Sequence, residues 1–183
     1  MEKILIHTCC ADCFLNTIGY LKNEGIINNQ TEITSFFYNP NIHPRSEYIE
    51  RLNALKKILS KDIKLVVPDY RPTDYFKSIE GKKERCIGCW KVRLKGLFEY
   101  ARDNNISNVT STLLVSLYQE RTRIMSIAEG LNREYGLNFV NIDSKHNCKH
   151  KGFYKQNFCG CCYSLVEKMT EKENHGTNAI LKI

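Results

Sequence analysis

The chain has 183 residues, of which 42% are hydrophobic and 26% charged, proportions typical of one soluble globular domain. No apolar run reaches the length that a bilayer requires and no small-residue cleavage site follows the first residues, so neither a transmembrane helix nor a signal peptide is expected. The 27 basic and 20 acidic residues give a net charge of +7, which suits a polyanionic partner such as nucleic acid and also promotes solubility. We expect a cytoplasmic protein without membrane contacts.

Strands and helices alternate along the sequence. In chain order we predict a strand at residues 3–7, a helix at 12–23, a strand at 31–38, a helix at 46–60, a strand at 63–67, a helix at 86–102, a strand at 108–114, a helix near 124–135 and a strand at 137–142. Five strands separated by helices indicate an α/β fold with one mainly parallel five-stranded sheet flanked by helices. Functional sites in such folds lie at the carboxyl ends of the strands.

Nine cysteines are more than a cytoplasmic protein of this length ordinarily carries. Their number is odd and no export signal is expected, which argues against a full set of structural disulfides and favours metal or redox chemistry. A single free cysteine is often a small buried hydrophobic residue, but core packing gives no reason for cysteines to cluster. Cys148 stands alone, and the other eight form three clusters: Cys9, Cys10 and Cys13; Cys86 and Cys89; Cys159, Cys161 and Cys162.

Two cysteine pairs supply a ligand set for a metal centre. Cys9 and Cys10 directly follow the first predicted strand, at the carboxyl edge of the sheet. Cys86 and Cys89 face the same way at the beginning of a predicted helix, where the helix dipole favours thiolates. Four thiolates suit a 4Fe–4S cluster or a tetrahedral zinc ion, and adjacent cysteines are unusual for zinc, which favours iron and sulfur.

The remaining cysteines leave several uses open. Spacing alone allows other partitions of the ligands, because Cys13 could replace one member of either set. The Cys159-x-Cys161 pair could close an easily reduced disulfide or hold a second metal. The spacing gives no preferred role to Cys148 or Cys162.

Several residues outside the cysteine clusters are suited to binding a substrate. Arg93 lies on the cysteine face of its predicted helix, where it could bind phosphate or offset the charge of the thiolates. Tyr118 and Gln119 follow a strand and therefore face the same edge of the sheet. His43 lies in an Asn-Pro loop, where it could be a ligand, a proton donor or an ordinary turn residue. Tyr154 begins a segment of aromatic and basic residues typical of surfaces that bind single-stranded RNA.

Five motifs carry a resemblance to a known family. They occur in order: Ile-His-Thr-Cys-Cys-Ala-Asp-Cys at residues 6–13, Phe-Tyr-Asn-Pro-Asn-Ile-His-Pro at 37–44 with Glu47 and Tyr48, Arg-Cys-x-x-Cys-Trp-x-x-Arg-Leu at 85–94, Ser-Thr-Leu-Leu-Val-Ser at 111–116 with Tyr118 and Gln119, and Tyr-x-Gln-x-x-Cys-Gly-Cys-x-Tyr-Ser at 154–164. Over residues 3–167 the sequence resembles epoxyqueuosine reductases of the QueH type. The family usually has Asp-Phe-Arg where this chain has Asp-Ser-Lys at 143–145, the 143–154 segment is shorter than in the family, and Cys148 and Cys162 are additions.

The resemblance implies an oxidoreductase that acts on tRNA. It would reduce epoxyqueuosine at the wobble position to queuosine, the last step of queuosine biosynthesis, with electrons from a separate donor. Residues 1–170 would form a catalytic iron–sulfur domain, followed by a frayed polar tail at 171–183. The implied ligands of a 4Fe–4S cluster are Cys9, Cys10, Cys86 and Cys89.

The resemblance also implies a second redox site, and the residue patterns add further candidates. By the resemblance, Cys159 and Cys161 would form a redox-active pair or help to bind an additional mononuclear iron beside the cluster, and Cys13 is a further catalytic candidate. We hypothesise that Asp12 is a ligand of that iron or a proton donor. The residues expected to contact the substrate are Asn39, His43, Arg93, Tyr118, Gln119 and Tyr154.

Other cofactors and functions fit the sequence less well. The chain lacks the ferredoxin-like cysteine run of the unrelated cobalamin-dependent reductases, so cobalamin is not expected. Cys-Cys stands after the first strand where ATP-binding folds of this kind need a phosphate-binding Ser-Gly-Gly, so ATP is not expected, and NAD is not expected either. The alternatives are a non-redox zinc-binding RNA module and, less favoured, a general thiol–disulfide oxidoreductase built on Cys86 and Cys89.

Overall fold

The structure, a computed structural model, describes residues 2–144 and 151–180, and for residues 172–180 it describes the backbone alone. Cys148 and part of the shortened 143–154 segment lie outside the described residues. The strands are β1 (Lys3–His7), β2 (Glu32–Phe36), β3 (Lys64–Val66), β4 (Asn108–Ser111) and β5 (Asn138–Phe139). The helices are α1 (Ala11–Asn23), α2 (Arg45–Ile58), α3 (Pro72–Ile79), α4 (Arg85–Asp103), α5 (Arg121–Tyr135) and α6 (Cys162–Ile180).

The five strands form one parallel sheet in the order β3-β2-β1-β4-β5. The predicted α/β class is therefore confirmed. The strand order reverses at β1, because the chain builds outward on one side to β3 and then crosses to β4 on the other. In open α/β sheets a ligand crevice forms beyond the carboxyl ends of the strands at this reversal. Cys9 and Cys10 follow β1 at that point.

Alternating side chains of the central strand cover both faces of the sheet. Ile4 and Ile6 pack in one buried cluster with Phe14 of α1. Leu5 points the other way, into a second cluster that includes Phe98 of α4. Successive side chains of a strand point to opposite faces, so a strand that is apolar throughout needs helices on both sides. None of the helices in the described part of the chain is long and apolar enough to span a membrane.

Three elements differ from the sequence prediction. The strand predicted at 108–114 ends at Ser111 and continues as a 3₁₀ turn over Thr112–Val115, because the Ser111 hydroxyl accepts a hydrogen bond from the backbone N–H of Leu113. Helices α3 and α6 were not predicted, since each has few apolar residues of its own. The backbone of α6 continues through residues 171–180, where a polar tail was expected, and the domain boundary at 170 stays a prediction.

Close contact between α3 and α4 gives a stability prediction. A Cβ atom on Gly88 of α4 would lie 2.1 Å from the carbonyl oxygen of Ser78 in α3. We expect Gly88→Ala to lower the free energy of unfolding by about 3 kcal/mol, because the two helices must separate. The control is Gly130→Ala in α5, where no atom lies within 4 Å and the change should raise stability by roughly 0.5–1 kcal/mol. Urea unfolding measures both variants, and equal stability of the two would contradict the packing.

Candidate functional site

Three cysteines converge beyond the carboxyl end of β1. Cys9 and Cys10 end the connection from β1, and Cys13 lies in the first turn of α1. The three Sγ atoms all lie within 4.8 Å of one another, and the three residues are buried. Soft thiolate donors that converge in a buried position are suited to bind zinc or iron.

Within the three-cysteine group, the contacts favour a negative charge on one sulfur, that of Cys9. Hydrogen bonding with Cys10 and then with Cys13 holds the pKa of Cys9 well below its usual range, against the opposing effect of burial. Hydrogen bonding with Cys10 and then with Cys9 raises the pKa of Cys13 well above its usual range, and burial adds to the rise. Thr112 adds to the stabilisation of Cys9, because its hydroxyl donates to the Cys9 sulfur at 3.2 Å and accepts from the Cys9 backbone N–H at 3.0 Å. The trio therefore favours a thiolate on Cys9.

The Thr112 contact gives a second prediction. Thr112→Val keeps the shape of the buried side chain but removes both hydrogen bonds to Cys9. We expect metal affinity to fall by roughly tenfold, the usual effect of losing a group that orients a ligand. Thr17→Val is the control, since Thr17 is buried and its hydroxyl has no partner among the described residues. Competition with a chelator measures the affinity, and equal affinities for the two variants would refute the role of Thr112.

A second group of cysteines lies where α3, α4 and the start of α6 meet. Cys89 and Cys161 are buried against Tyr75 of α3, and Cys159 packs at the edge of this cluster. The Sγ atoms of Cys159 and Cys161 are 3.6 Å apart, and both residues are free thiols, as are all cysteines in the described part of the chain. Cys86 is exposed at the beginning of α4.

Hydrogen bonds distinguish the two thiols of the Cys159/Cys161 pair. A hydrogen bond with Cys161 is the main cause that lowers the pKa of Cys159 to about 6, whereas the same contact raises the pKa of Cys161. Burial raises the pKa of Tyr75, so its hydroxyl stays protonated next to the Cys161 sulfur. The shared contact therefore favours the thiolate on Cys159 and the protonated thiol on Cys161.

A cavity of about 100 Å³ connects the two cysteine groups. Cys9, Cys10 and Cys13 contribute to its wall on one side, and Cys159 contributes on the other. The other predicted site residues that line it are Asp12, Arg93, Tyr118 and Gln119. The structure thus places eight of the predicted residues around one cavity at the carboxyl edge of the sheet.

Arg93 carries a buried positive charge in the wall of this cavity. Arg93 is only 2% exposed, and its Nε donates a hydrogen bond to the Cys89 carbonyl at 3.2 Å. No carboxylate pairs with it within the described residues. Burial raises the pKa of Cys89 to about 11, and the charge of Arg93 opposes that rise. A buried cation without an acidic partner requires another source of negative charge, which ionised thiols or a bound anion would provide.

Polar side chains close the outer part of the cavity. Lys155 reaches the carboxylate of Asp12 at 3.1 Å, and Asp12 is itself mostly buried. The indole N–H of Trp90 donates to the Gln119 side chain at 2.5 Å, which fixes the amide at the edge of the cavity. Tyr118 is 46% exposed beside it. An exposed aromatic ring next to a lysine is suited to stack on a base and contact a phosphate.

Three predicted substrate-binding residues do not line the cavity. Asn39 is buried and donates to the Thr8 carbonyl at 2.8 Å, which ties its loop to the end of β1. The ring of His43 packs against both Tyr75 and Phe76. The hydroxyl of Tyr154 donates to the carboxylate of Glu47. Their roles in binding substrate stay predictions.

Two residues near the site were missed by the sequence reasoning. Arg51 of α2 is fully buried and contacts the segment that carries Cys159, and Thr112 contacts Cys9. The spacing of Glu47 and Arg51, one helical turn apart, was a usable signal of an ion pair, but nothing in the sequence indicated that the pair is buried. Thr112 lies in the Ser-Thr-Leu-Leu-Val-Ser motif at 111–116, but no pattern in the sequence distinguishes it from the other residues of that motif.

Comparisons with known proteins identify one family across most of the chain. The model of a family described as epoxyqueuosine reductase QueH matches residues 4–167. A protein named epoxyqueuosine reductase QueH from Dehalococcoides mccartyi is 32% identical over 176 residues, 91% of this chain and 94% of the relative. Proteins of the same name from Thermotoga maritima and Haemophilus influenzae are 30% and 29% identical, over 96% and 98% of this chain and 95% and 78% of the relatives.

Proposed function

The chain belongs to the epoxyqueuosine reductase QueH family, and from this premise we propose that it reduces epoxyqueuosine at the wobble position of tRNA to queuosine. The observation that carries the proposal is the cavity that Cys9, Cys10, Cys13 and Cys159 share at the reversal point of the sheet. A cavity lined by free thiols and a buried cation is suited to supply electrons to a bound group.

The reaction needs two electrons and two protons. Opening the epoxide and forming the alkene breaks two C–O bonds and releases the oxygen as water. The Cys159 and Cys161 thiols together can supply these electrons and protons, because closing to a disulfide releases two electrons and two protons. An external electron donor must then reduce the disulfide again. The contact of 3.6 Å between the two sulfurs supports this role for the pair.

Four cysteine thiolates are the ligand set of an iron–sulfur centre. We propose Cys9, Cys10, Cys86 and Cys89 as the ligands of a 4Fe–4S cluster, which would transfer single electrons to the site. Both pairs adjoin Arg93, which lines the cavity with Cys9 and Cys10 and contacts the backbone of Cys89. Its charge would offset the negative charge of the ligands. The proposal needs no cobalamin.

Asp12 and Cys13 are proposed to assist the departure of the epoxide oxygen as water. They line the same cavity, where they could hold a mononuclear iron, and the Asp12 carboxylate could relay a thiol proton to the oxygen. Lys155 pairs with Asp12 and keeps its carboxylate at the cavity wall. Tyr118 and Gln119 are proposed to contact the modified base or its neighbours in the anticodon loop, whose bases can leave the stack.

The second candidate is a zinc-binding RNA module without redox activity. The convergence of Cys9, Cys10 and Cys13 favours it, because three close thiols also suit zinc. Anaerobic purification with a visible spectrum and quantitation of iron, sulfide and zinc separates the two candidates. The redox proposal predicts a broad absorption band at the blue end and about four iron and four sulfide per chain. A colourless protein that holds only zinc after anaerobic reconstitution would favour the zinc module.

A further inference from the structure

Arg51 places a buried guanidinium directly behind the Cys159/Cys161 pair. Arg51 lies in α2, more than a hundred residues before the pair in the sequence, and is 2% exposed. Its Nη1 donates to the carbonyl of Cys159 at 3.2 Å and its Nη2 to the carbonyl of Phe158 at 3.3 Å. Two consecutive carbonyl groups of the segment thus share one planar donor group.

The position of this guanidinium is itself fixed. Its Nε donates to the carboxylate of Glu47 at 2.6 Å, and the second carboxylate oxygen of Glu47 accepts from the hydroxyl of Tyr154. The guanidinium also lies over the ring of Phe158 at 5.3 Å. We call Glu47, Arg51 and Tyr154 the Arg51 network. All five N–H donors of an arginine lie in one plane, so this arrangement fixes direction as well as distance.

The residue between the two cysteines fits closely against the same group. Gly160 has a φ of +112°, which favours glycine, and a Cβ at this position would lie 3.0 Å from Nη1 and Nη2 of Arg51. The Gly160 carbonyl accepts from the His43 backbone N–H at 2.8 Å. The Cys159 backbone N–H donates to the Ser164 hydroxyl at 3.3 Å. The backbone of the pair is therefore fixed from three directions.

We propose that Arg51 is a positioning residue that keeps the Cys159-Gly160-Cys161 backbone in the conformation in which the dithiol closes to a disulfide, and that it thereby sets the reduction potential of the pair. The proposal rests on the proposed redox function. In the step concerned, the two thiols lose two electrons and two protons to the bound epoxide and one S–S bond forms. The sulfurs are already 3.6 Å apart, and closure shortens this distance to about 2.0 Å.

The sign of the change in reduction potential follows from the entropy cost of bringing two thiols together. If the carbonyls of residues 158 and 159 lose their donors, the segment gains freedom and the thiols meet less often. The disulfide then becomes less stable relative to the dithiol, so the pair becomes more oxidising. We expect Arg51→Lys, which keeps the charge but loses the planar donor group, to lower the equilibrium constant for disulfide formation by about tenfold, equivalent to about 30 mV.

The experiment equilibrates the anaerobically purified protein in thiol–disulfide buffers and measures the redox state of the pair by alkylation and mass spectrometry. A Cys162→Ser background keeps the third cysteine of that segment out of the measurement. Lys57→Met, an exposed change on the same helix, is the matched control and should leave the potential at the wild-type value. Tyr154→Phe removes one hydrogen bond of the network from a partly exposed residue, and it should lower the equilibrium constant for disulfide formation by about two- to threefold.

Two results would overturn the proposal. One is an unchanged or more reducing potential in Arg51→Lys or, if that variant does not fold, in Tyr154→Phe. The other is a wild-type pair that stays a dithiol in every buffer. Failure of the proposed function is a separate observation, since a wild-type protein that does not reduce epoxyqueuosine can still show the redox equilibrium of the pair and its dependence on Arg51.

Discussion

Cys9→Ser is expected to abolish the visible absorption of the protein and to lower its iron content and its reductase activity by about a hundredfold or more. Cys9 is the thiol whose pKa is held lowest within the trio, and the contacts with Cys10, Cys13 and Thr112 all favour its thiolate. Serine has nearly the same shape, but its hydroxyl does not ionise at neutral pH and is a poor ligand for iron. The effect should therefore come from the lost sulfur and not from a change in packing.

Cys162→Ser is the matched control for this substitution. Cys162 is half-buried at the start of α6 and does not line the cavity. It should retain the spectrum, the iron and the activity of the wild type. Purification of both variants under the same anaerobic conditions, with iron quantitation and a spectrum, gives the comparison. A Cys9→Ser protein with wild-type iron and colour would show that Cys9 is not a ligand.

Arg93→Met is expected to lower reductase activity by roughly a hundredfold while the thermal unfolding midpoint changes little. The substitution removes a positive charge that acts on Cys86, Cys89 and Cys159 and has no carboxylate partner within the described residues. A buried charge without a close partner costs free energy to desolvate, so its removal should not destabilise the fold, and methionine fills a similar volume. Activity and stability should therefore respond differently, as expected for a charge that serves the site.

Arg102→Met on the same helix provides the comparison for Arg93. Arg102 is exposed and pairs with the neighbouring Asp103, so its removal should affect neither activity nor stability. Arg93→Lys, which keeps the charge, should recover part of the activity. If Arg93→Met instead retained full activity and unfolded at a much lower temperature, Arg93 would be a structural residue of the core.

The order of strands and helices could be predicted from the sequence because its signals are local. Apolar runs such as Lys3–His7 and the helical spacing in α4 depend only on neighbouring residues. The site at the carboxyl edge followed from the same reasoning, since Cys9 and Cys10 come directly after β1. The turn at Thr112 was missed because the hydroxyl of Ser111 competes with the strand for a backbone N–H, and this contact leaves no periodic signal.

The sequence already grouped Cys13 with Cys9 and Cys10, because the three are neighbours in the chain, and the structure brings their sulfurs together. The contact of Cys89 with Cys159 and Cys161 could not be predicted, because it joins segments about 70 residues apart in the sequence. The second group depends on the packing of α3 against α4, which places a buried tyrosine beside Cys161. Arg51 was missed for the same reason, since a buried arginine is rare and its partners lie more than a hundred residues away.

The most direct test of the account is turnover on the proposed substrate. Transfer RNA that carries epoxyqueuosine is incubated anaerobically with the iron-loaded protein and a chemical reductant. The tRNA is then digested to nucleosides, which are separated and identified by mass spectrometry. We expect wild-type protein to convert epoxyqueuosine to queuosine, which is one oxygen atom lighter, and Cys9→Ser to leave it unconverted. Unchanged epoxyqueuosine after incubation with wild-type protein that contains its full iron and sulfide would contradict the proposed reductase activity.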